Sequence, residues 1–213
     1  MLTVHHLGKS QSERILWLCE ELGLPYELKR YQRDAVTQLA PPELKALHPM
    51  EAAPLISDGD LLLAESGAIV EYILAKYGQG RLALPVDDPH FADYLYWLHF
   101  SNANLQATLG RSMTVGRLDL AADHPIRAGA EFRLKRALDF VEDRLTSVDY
   151  LAGDQFTAAD IMVMFSLSTM RAFHAFDLQP HPHIRAYLKR LADRPAYQRA
   201  MAKGDPGMAP MIG

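Results

Sequence analysis

The rhythm of hydrophobic and polar positions changes near residue 80 of this chain. Before that point, apolar runs of strand length alternate with stretches at helical spacing; beyond it only helical spacing recurs. Leu2 to His6 reads as a short strand. Ser12 to Leu22 reads as a helix, with Ile15, Leu18, Cys19 and Leu22 at i, i+3, i+4 and i+7 and Gly23 as its stop. Tyr26 to Tyr31 alternates enough for a second strand, and Pro42 to His48 predicts a short helix ended by Pro49. Leu55 to Ser57 and Leu61 to Ala64 flank Asp58-Gly59-Asp60, an Asp-Gly turn signal, and so predict a hairpin. Ser66 to Tyr77 follows as a helix closed by Gly78. The result is a βαβββα unit over residues 1–80.

Residues 81–89 carry the Gly, Pro and acidic character of a linker with the two residues before them, and 90–213 predict an all-helical domain. Its helices are expected at about 90 to 115, 127 to 147, 157 to 173 and 183 to 193. The best-marked start is Phe156-Thr157-Ala158-Ala159-Asp160-Ile161, where Thr157 can cap the helix and Asp160 can complete a capping box. The helix from about 90 to 115 has two lines of residues. Phe91, Leu95, Leu98, Leu105 and Leu109 suit a core, and Tyr94, Trp97, Ser101, Asn104 and Thr108 form a more polar second line that could border a cleft.

Composition narrows the function classes. With 213 residues, 49% hydrophobic and 23% charged, the chain is a globular protein that need not lean on disulfides or metal. A net charge of -4 with dispersed Lys and Arg leaves no basic stripe, so nucleic acid is not an expected partner. No apolar run reaches the roughly 18 residues that span a bilayer, and Met1-Leu2-Thr3-Val4 lacks a signal-peptide opening. A cytoplasmic location without membrane association is therefore expected. Cys19 is the only cysteine and lies on an apolar helix face, which predicts a buried, inert thiol. His181-Pro182-His183 is a poor ligand set without a carboxylate or Cys partner, so no metal is expected and loop histidines are the better reading.

The candidate chemistry lies in two places. Ala52-Ala53-Pro54-Leu55-Ile56 puts a proline at a strand mouth, where a cis peptide would turn the chain and leave the Ala53 N–H and C=O open. Glu65-Ser66-Gly67 puts a carboxylate and a hydroxyl at a helix start, where unpaired N–H groups favour an anion. A small peptide with an amide, an amine and a carboxylate fits that pair. Ser10-Gln11-Ser12-Glu13 also satisfies a capping-box pattern before the first helix.

Three segments in order carry a resemblance. His48-Pro49 through Ala53-Pro54-Leu55-Ile56, Leu63 to Ile69, and Gly153-Asp154-Gln155-Phe156-Thr157-Ala158-Ala159-Asp160-Ile161 make the chain resemble the cytosolic glutathione S-transferases, serine type, over almost its whole length. Val4-His5-His6-Leu7 with Ser10 and Arg14, then Arg30 to Asp34 and Ala40 to Leu44, look most like the bacterial and fungal branch typified by the yeast Gtt-type enzymes. The resemblance implies an α/β plus all-α architecture: an N-terminal thioredoxin-like βαβββα domain followed by an all-helical C-terminal domain. It implies a homodimer that activates the thiol of glutathione, a co-substrate, as thiolate and conjugates it to small hydrophobic electrophiles, with peroxide reduction as a side activity. A glutathione-binding or regulatory protein without catalysis is the alternative.

The resemblance also implies roles. Ser10 matches the family's serine by its spacing from Arg14, and Ser12 is the alternative. Ala53 and Pro54 would present backbone to the cysteinyl amide, while Glu65 and Ser66 would take the ammonium and carboxylate of the γ-glutamyl end. Lys9, Tyr94, Trp97, Asn104 and Met113 are the candidates to line the electrophile site, with core or subunit interface as the other reading of the aromatics. Where family members often carry Gly and a basic residue, this chain has Glu51-Ala52. His48 and Gln38 are therefore candidates for the glycyl carboxylate.

Overall fold

The computed structural model describes residues 1–212. Four strands, β1 (Leu2–Leu7), β2 (Glu27–Tyr31), β3 (Leu55–Asp58) and β4 (Leu61–Ala64), form one sheet in the order β2-β1-β3-β4. β1 is buried along its whole length, as a central strand covered on both faces should be. It runs parallel to β2, with Val4 opposite Leu28, and antiparallel to β3, with Val4 opposite Ile56. The parallel pair requires a crossover, which α1 (Glu13–Leu22) supplies. A short α2 (Pro42–Lys45) precedes β3, and α3 (Ser66–Tyr77) follows β4.

The periodic face of α1 packs as expected, but Leu16 and Trp17, outside that stripe, are buried too. Their cover is a helix absent from the expected set, α9 (Pro195–Gly204). Trp17 meets Tyr197 edge-on at 4.9 Å between ring centroids, and Arg194 grips Glu21 through two hydrogen bonds of 2.6 and 2.9 Å. The chain divides into two compact units, Met1–Ala83 with Ala192–Pro210, and Leu84–Leu191 with the last residues. The C-terminal helix thus belongs with the sheet rather than with the helical unit, where the expected boundary at residue 90 had put it.

The second unit contains α4 (Phe91–Phe100), α5 (Ala107–Gly116), α6 (Pro125–Leu145), α7 (Ala158–Leu167) and most of α8 (Pro182–Ala192). The single helix expected from about 90 to 115 runs through both α4 and α5 and contains a π-helical turn, Ser101–Gln106. At this turn the buried Ser101 hydroxyl donates to the Met162 carbonyl at 2.6 Å, a side-chain bond to the neighbouring helix that periodicity does not encode.

The capping box on α7 forms as the sequence predicts. The Asp160 carboxylate accepts the Thr157 N–H at 2.8 Å, and also the Leu151 N–H at 2.9 Å and the Tyr187 hydroxyl at 2.8 Å. Burial pushes this carboxyl above its ordinary range, against the pull of those donors. His181 is not a solvated loop residue: it is 6% exposed and its Nε2 lies 3.1 Å from Asp139 of α6. His183 bonds Glu142 on the same helix, so the two histidines seat the start of α8. Among the described residues no helix is long and apolar enough to cross a membrane, and no group of three His, Cys, Asp or Glu is arranged to hold a metal.

Candidate functional site

Strand register brings the candidate segments of the first unit to one end of the sheet. His5 pairs with Leu55, and Leu55 with Ala64, so the exits of β1 and β4 and the entrance of β3 lie side by side. Leu7 leads to Ser10, Ala53-Pro54 leads into Leu55, and Ala64 leads to Glu65-Ser66. Leu7, Leu44 and Leu55 pack together beneath this end, with Ala53 and Ala64 against them.

The Ala53-Pro54 peptide is cis, and Pro54 is buried. Among the described residues no hydrogen bond engages the Ala53 backbone, which leaves its N–H and C=O disposed for an added strand. Glu65, exposed at the start of α3, has φ 70°, in the left-handed region that costs a non-glycine residue on the order of 1 kcal/mol or more. The first turn of α3 has no side-chain cap. Its N–H groups therefore face outward beside the Ser66 hydroxyl.

Ser66 is 2% exposed and is tied to the start of α1. Its hydroxyl lies 3.2 Å from Arg14, which donates to it, and 3.3 Å from the Gln11 amide oxygen; Arg14 also donates to Gln11 at 2.8 Å. Arg14 is fully buried, which lowers its guanidinium to about 9, with Glu13 acting in the opposite direction. Gln11 and Arg14 were not among the sequence candidates. Their signal was only adjacency to Ser10, because the fold alone brings them to Ser66, 52 residues from Arg14 along the chain.

The loop before α1 is clamped from two sides. Arg33 donates to the carbonyls of Gly8 at 2.8 Å and Lys9 at 3.2 Å, and the Lys9 N–H donates to Asp205 at 2.9 Å. Lys9, exposed with φ 52°, therefore contributes its backbone to holding the loop that carries Ser10. Ser10 is 6% exposed; its Oγ accepts the Ser12 N–H at 3.2 Å and lies 2.7 Å from the Ser12 Oγ. Ser12 is fully buried and also contacts His6 Nδ1 at 2.9 Å, with its Oγ accepting the Leu7 N–H at 3.2 Å. Ser10 is the member of the pair with an opening to solvent.

The remaining candidates are scattered. The Gln38 side-chain amide donates to the carbonyls of Asp34 and Ala35, and His48 Nδ1 accepts the Met50 N–H at 3.2 Å, so each is engaged within its own turn. Glu51, with φ 53°, pairs with Lys45 at 3.6 Å, and the negative charge flagged in the sequence has a cation beside it. In the helical unit Tyr94 and Trp97 are buried, Trp97 stacking on Phe140 at 5.2 Å, so packing accounts for both rings. Asn104 is exposed near Tyr96, Phe100 and Phe140. Met113 lines a separate cavity of about 780 Å³ with Thr108, Arg111, Ile126 and Arg133. Cys19 is buried, which pushes its thiol up to about 12 and leaves it inert.

Comparison with known proteins covers both parts of the chain. Residues 1–75 match the glutathione S-transferase N-terminal domain family, and residues 117–195 match the glutathione S-transferase C-terminal domain family. The chain is 32% identical to glutathione S-transferase 3 of Schizosaccharomyces pombe, over 95% of this chain and 88% of that protein. It is 30% identical to glutathione S-transferase 1 of Saccharomyces cerevisiae, over 95% of each. The crystal structure of a glutathione S-transferase from Actinobacillus pleuropneumoniae superposes with a TM-score of 0.87 at 35% identity, covering 96% of this chain and 93% of that one. With both domain families matched in order and curated relatives aligned along nearly its full length, the chain belongs to the glutathione S-transferase family.

Proposed function

We propose that this protein binds glutathione at the sheet end formed by Ser10, Ala53-Pro54 and Glu65-Ser66, activates its thiol as thiolate, and conjugates it to small hydrophobic electrophiles. The observation that carries the proposal is the register of the sheet: an exposable hydroxyl, an open backbone and an uncapped helix start lie at one edge. Glu65 takes the ammonium of the γ-glutamyl end, the Ser66 hydroxyl and first-turn N–H groups take its carboxylate, and Ala53 pairs with the cysteinyl amide. The glycyl carboxylate is left to Lys45, with His48 and Gln38 on the neighbouring turns.

The free thiol titrates near 8.5, so only a few per cent is thiolate at neutral pH. Lowering it by two units takes about 2.7 kcal/mol of preferential stabilisation of the anion. A hydrogen bond from Ser10 together with the N-terminus of α1 supplies that order of energy. Ser12 is too deeply buried to reach a ligand sulfur directly. Lys9, beside Ser10, and Met113 and Asn104 in the helical unit are the remaining candidates to contact the electrophile. Peroxide reduction by the same thiolate, a homodimeric state and a cytosolic location belong to the same proposal.

Retention on immobilised glutathione followed by a conjugation assay with an aromatic halide tests this reading. Binding and turnover are expected, with Ser10→Ala retained on the resin and devoid of turnover. Binding without turnover in the unmodified protein would favour a regulatory glutathione-binding role. Lys45, 3.6 Å from Glu51, supplies a cation near the position where family members often carry a basic residue. Loss of both binding and turnover would overturn either reading.

A further inference from the structure

Behind Ser10 runs a row of polar groups that glutathione binding does not use. Asp205, just beyond α9, places its Oδ2 3.1 Å from His6 Nε2; His6 Nδ1 lies 2.9 Å from Ser12 Oγ, which lies 2.7 Å from Ser10 Oγ. His6 is 1% exposed and Ser12 is fully buried, so water does not interrupt the row and only the Ser10 end opens outward. We propose that Asp205 and His6 are positioning residues that set, through Ser12, the direction of the Ser10 hydroxyl proton, turning it toward or away from the ligand sulfur. The proposal rests on Ser10 being the serine that faces the thiol.

Counting protons gives two arrangements. A carboxylate only accepts, so His6 Nε2 carries a proton in both. When the imidazole is neutral, Nδ1 is an acceptor and takes the Ser12 proton. The contact between the two serines then requires Ser10 to donate inward, and its proton is spent inside the protein. When His6 is imidazolium, Nδ1–H donates to Ser12, whose other lone pair holds the Leu7 N–H at 3.2 Å. Ser12 then donates to Ser10. Ser10 already accepts the Ser12 N–H at 3.2 Å, so both its lone pairs are filled and its proton is left for an acceptor outside. The Leu7 carbonyl, at 3.3 Å, is the weaker taker of the Ser12 proton.

Charged groups surround the row. Burial raises the Asp205 carboxyl, but the His6 hydrogen bond and charge, the Lys9 N–H and Arg30 outweigh it and hold it below its ordinary range. Asp205 is therefore an anion beside the imidazole, at 3.1 Å from its Nε2. The other charged groups are Lys9 on the loop, Arg30 on β2, opposite His6, Arg33 after that strand, and Glu13 in the first turn of α1. The fit is close: a Cβ on Gly204 would lie 3.0 Å from His6 Nε2, and one on Gly8 would lie 3.1 Å from Asp205 Oδ1.

Titration of bound glutathione by its thiolate ultraviolet absorbance, with the pH profile of kcat/KM for an aromatic halide, tests the relay. Asp205→Asn should raise the pH at which bound glutathione becomes thiolate and cost at least about tenfold in kcat/KM at neutral pH. His6→Asn should likewise lower the thiolate absorbance of bound glutathione at neutral pH. In a Ser10→Ala background neither substitution should change that absorbance further. An unmoved thiolate absorbance in Asp205→Asn, or an equal loss of it without Ser10, refutes the relay while leaving Ser10 in place. Full conjugation by Ser10→Ala alone sinks the reading of Ser10 instead. If the variants do not fold, nitrogen-15 histidine spectra of the unmodified protein decide the matter. His6 Nδ1 must carry a proton while glutathione is bound as thiolate, and an Nδ1 that stays bare wherever the protein conjugates overturns the proposal.

Discussion

Replacing Gly204 by alanine should destabilise the protein although alanine is the better helix former. Gly204 ends α9 where it crosses α1, and its backbone angle is one alanine can adopt. A Cβ there would lie 2.7 Å from Leu16 Cδ1 and 3.0 and 3.1 Å from His6 Nε2 and Cε1. Neither neighbour has room to yield. Leu16 is fully buried, and His6 is held between Asp205 and Ser12. Forcing a methyl group into such a place costs about 1–3 kcal/mol, set against a gain of less than about 1 kcal/mol from helix propensity at the last turn. The net loss of about 1–2 kcal/mol corresponds to a fall in Tm of roughly 2–8 °C for a chain of this size. Gly110 is the internal control. It lies within α5, and a Cβ on it meets nothing within 4 Å, so Gly110→Ala should stabilise by about 0.5–1 kcal/mol. Calorimetry and urea denaturation of both variants should move in opposite directions. Equal shifts, or a Gly204→Ala protein as stable as the parent, would refute the argument that close approach of α9 to β1 and α1 selects glycine.

Three further outcomes are expected. Asp160→Ala strands the Leu151 and Thr157 N–H groups and the Tyr187 hydroxyl in the interior and should cost about 3–5 kcal/mol by denaturant titration, with Asp160→Asn milder. Asp58 accepts from Tyr72, Lys76 and Tyr77 at 2.7, 2.7 and 2.5 Å, and these donors hold its carboxyl well below the usual carboxylate range. Its contribution is present above the unfolded value near 4 and is lost as pH falls through the lower folded value. Asp58→Asn should thus cost about 1–2 kcal/mol at neutral pH, and the gap to the parent should close in acid. Lys45→Ala should raise KM for glutathione several-fold with kcat little changed; an unaltered KM would remove Lys45 from the glycyl end.

Local rules carried much of this protein. Gly23 after α1, the Asp-Gly hairpin, the Thr157 capping box and a proline at the mouth of β3 are short-range signals, and each element stands where its signal lies. The Ala53-Pro54 and Glu65-Ser66 segments were legible as a strand mouth and a helix start for the same reason: such places leave backbone groups open.

What depends on distant parts of the chain was not legible. Periodicity marks one face of α1, yet α9, from the other end of the sequence, buries a second face. A π-helical turn at Ser101–Gln106, where the Ser101 hydroxyl bonds Met162, interrupts a spacing that the sequence reads as uniform. Burial, not sequence distance, distinguishes Ser10 from Ser12, and hydrogen bonds spanning 52 residues from Arg14 to Ser66 and 199 from His6 to Asp205 surround them. A sequence determines which groups each segment offers, because backbone conformation and hydrophobic period are local. Which of those groups meet, and in what protonation state, is decided by the tertiary structure, because contact and desolvation arise only when segments far apart in the chain are packed together.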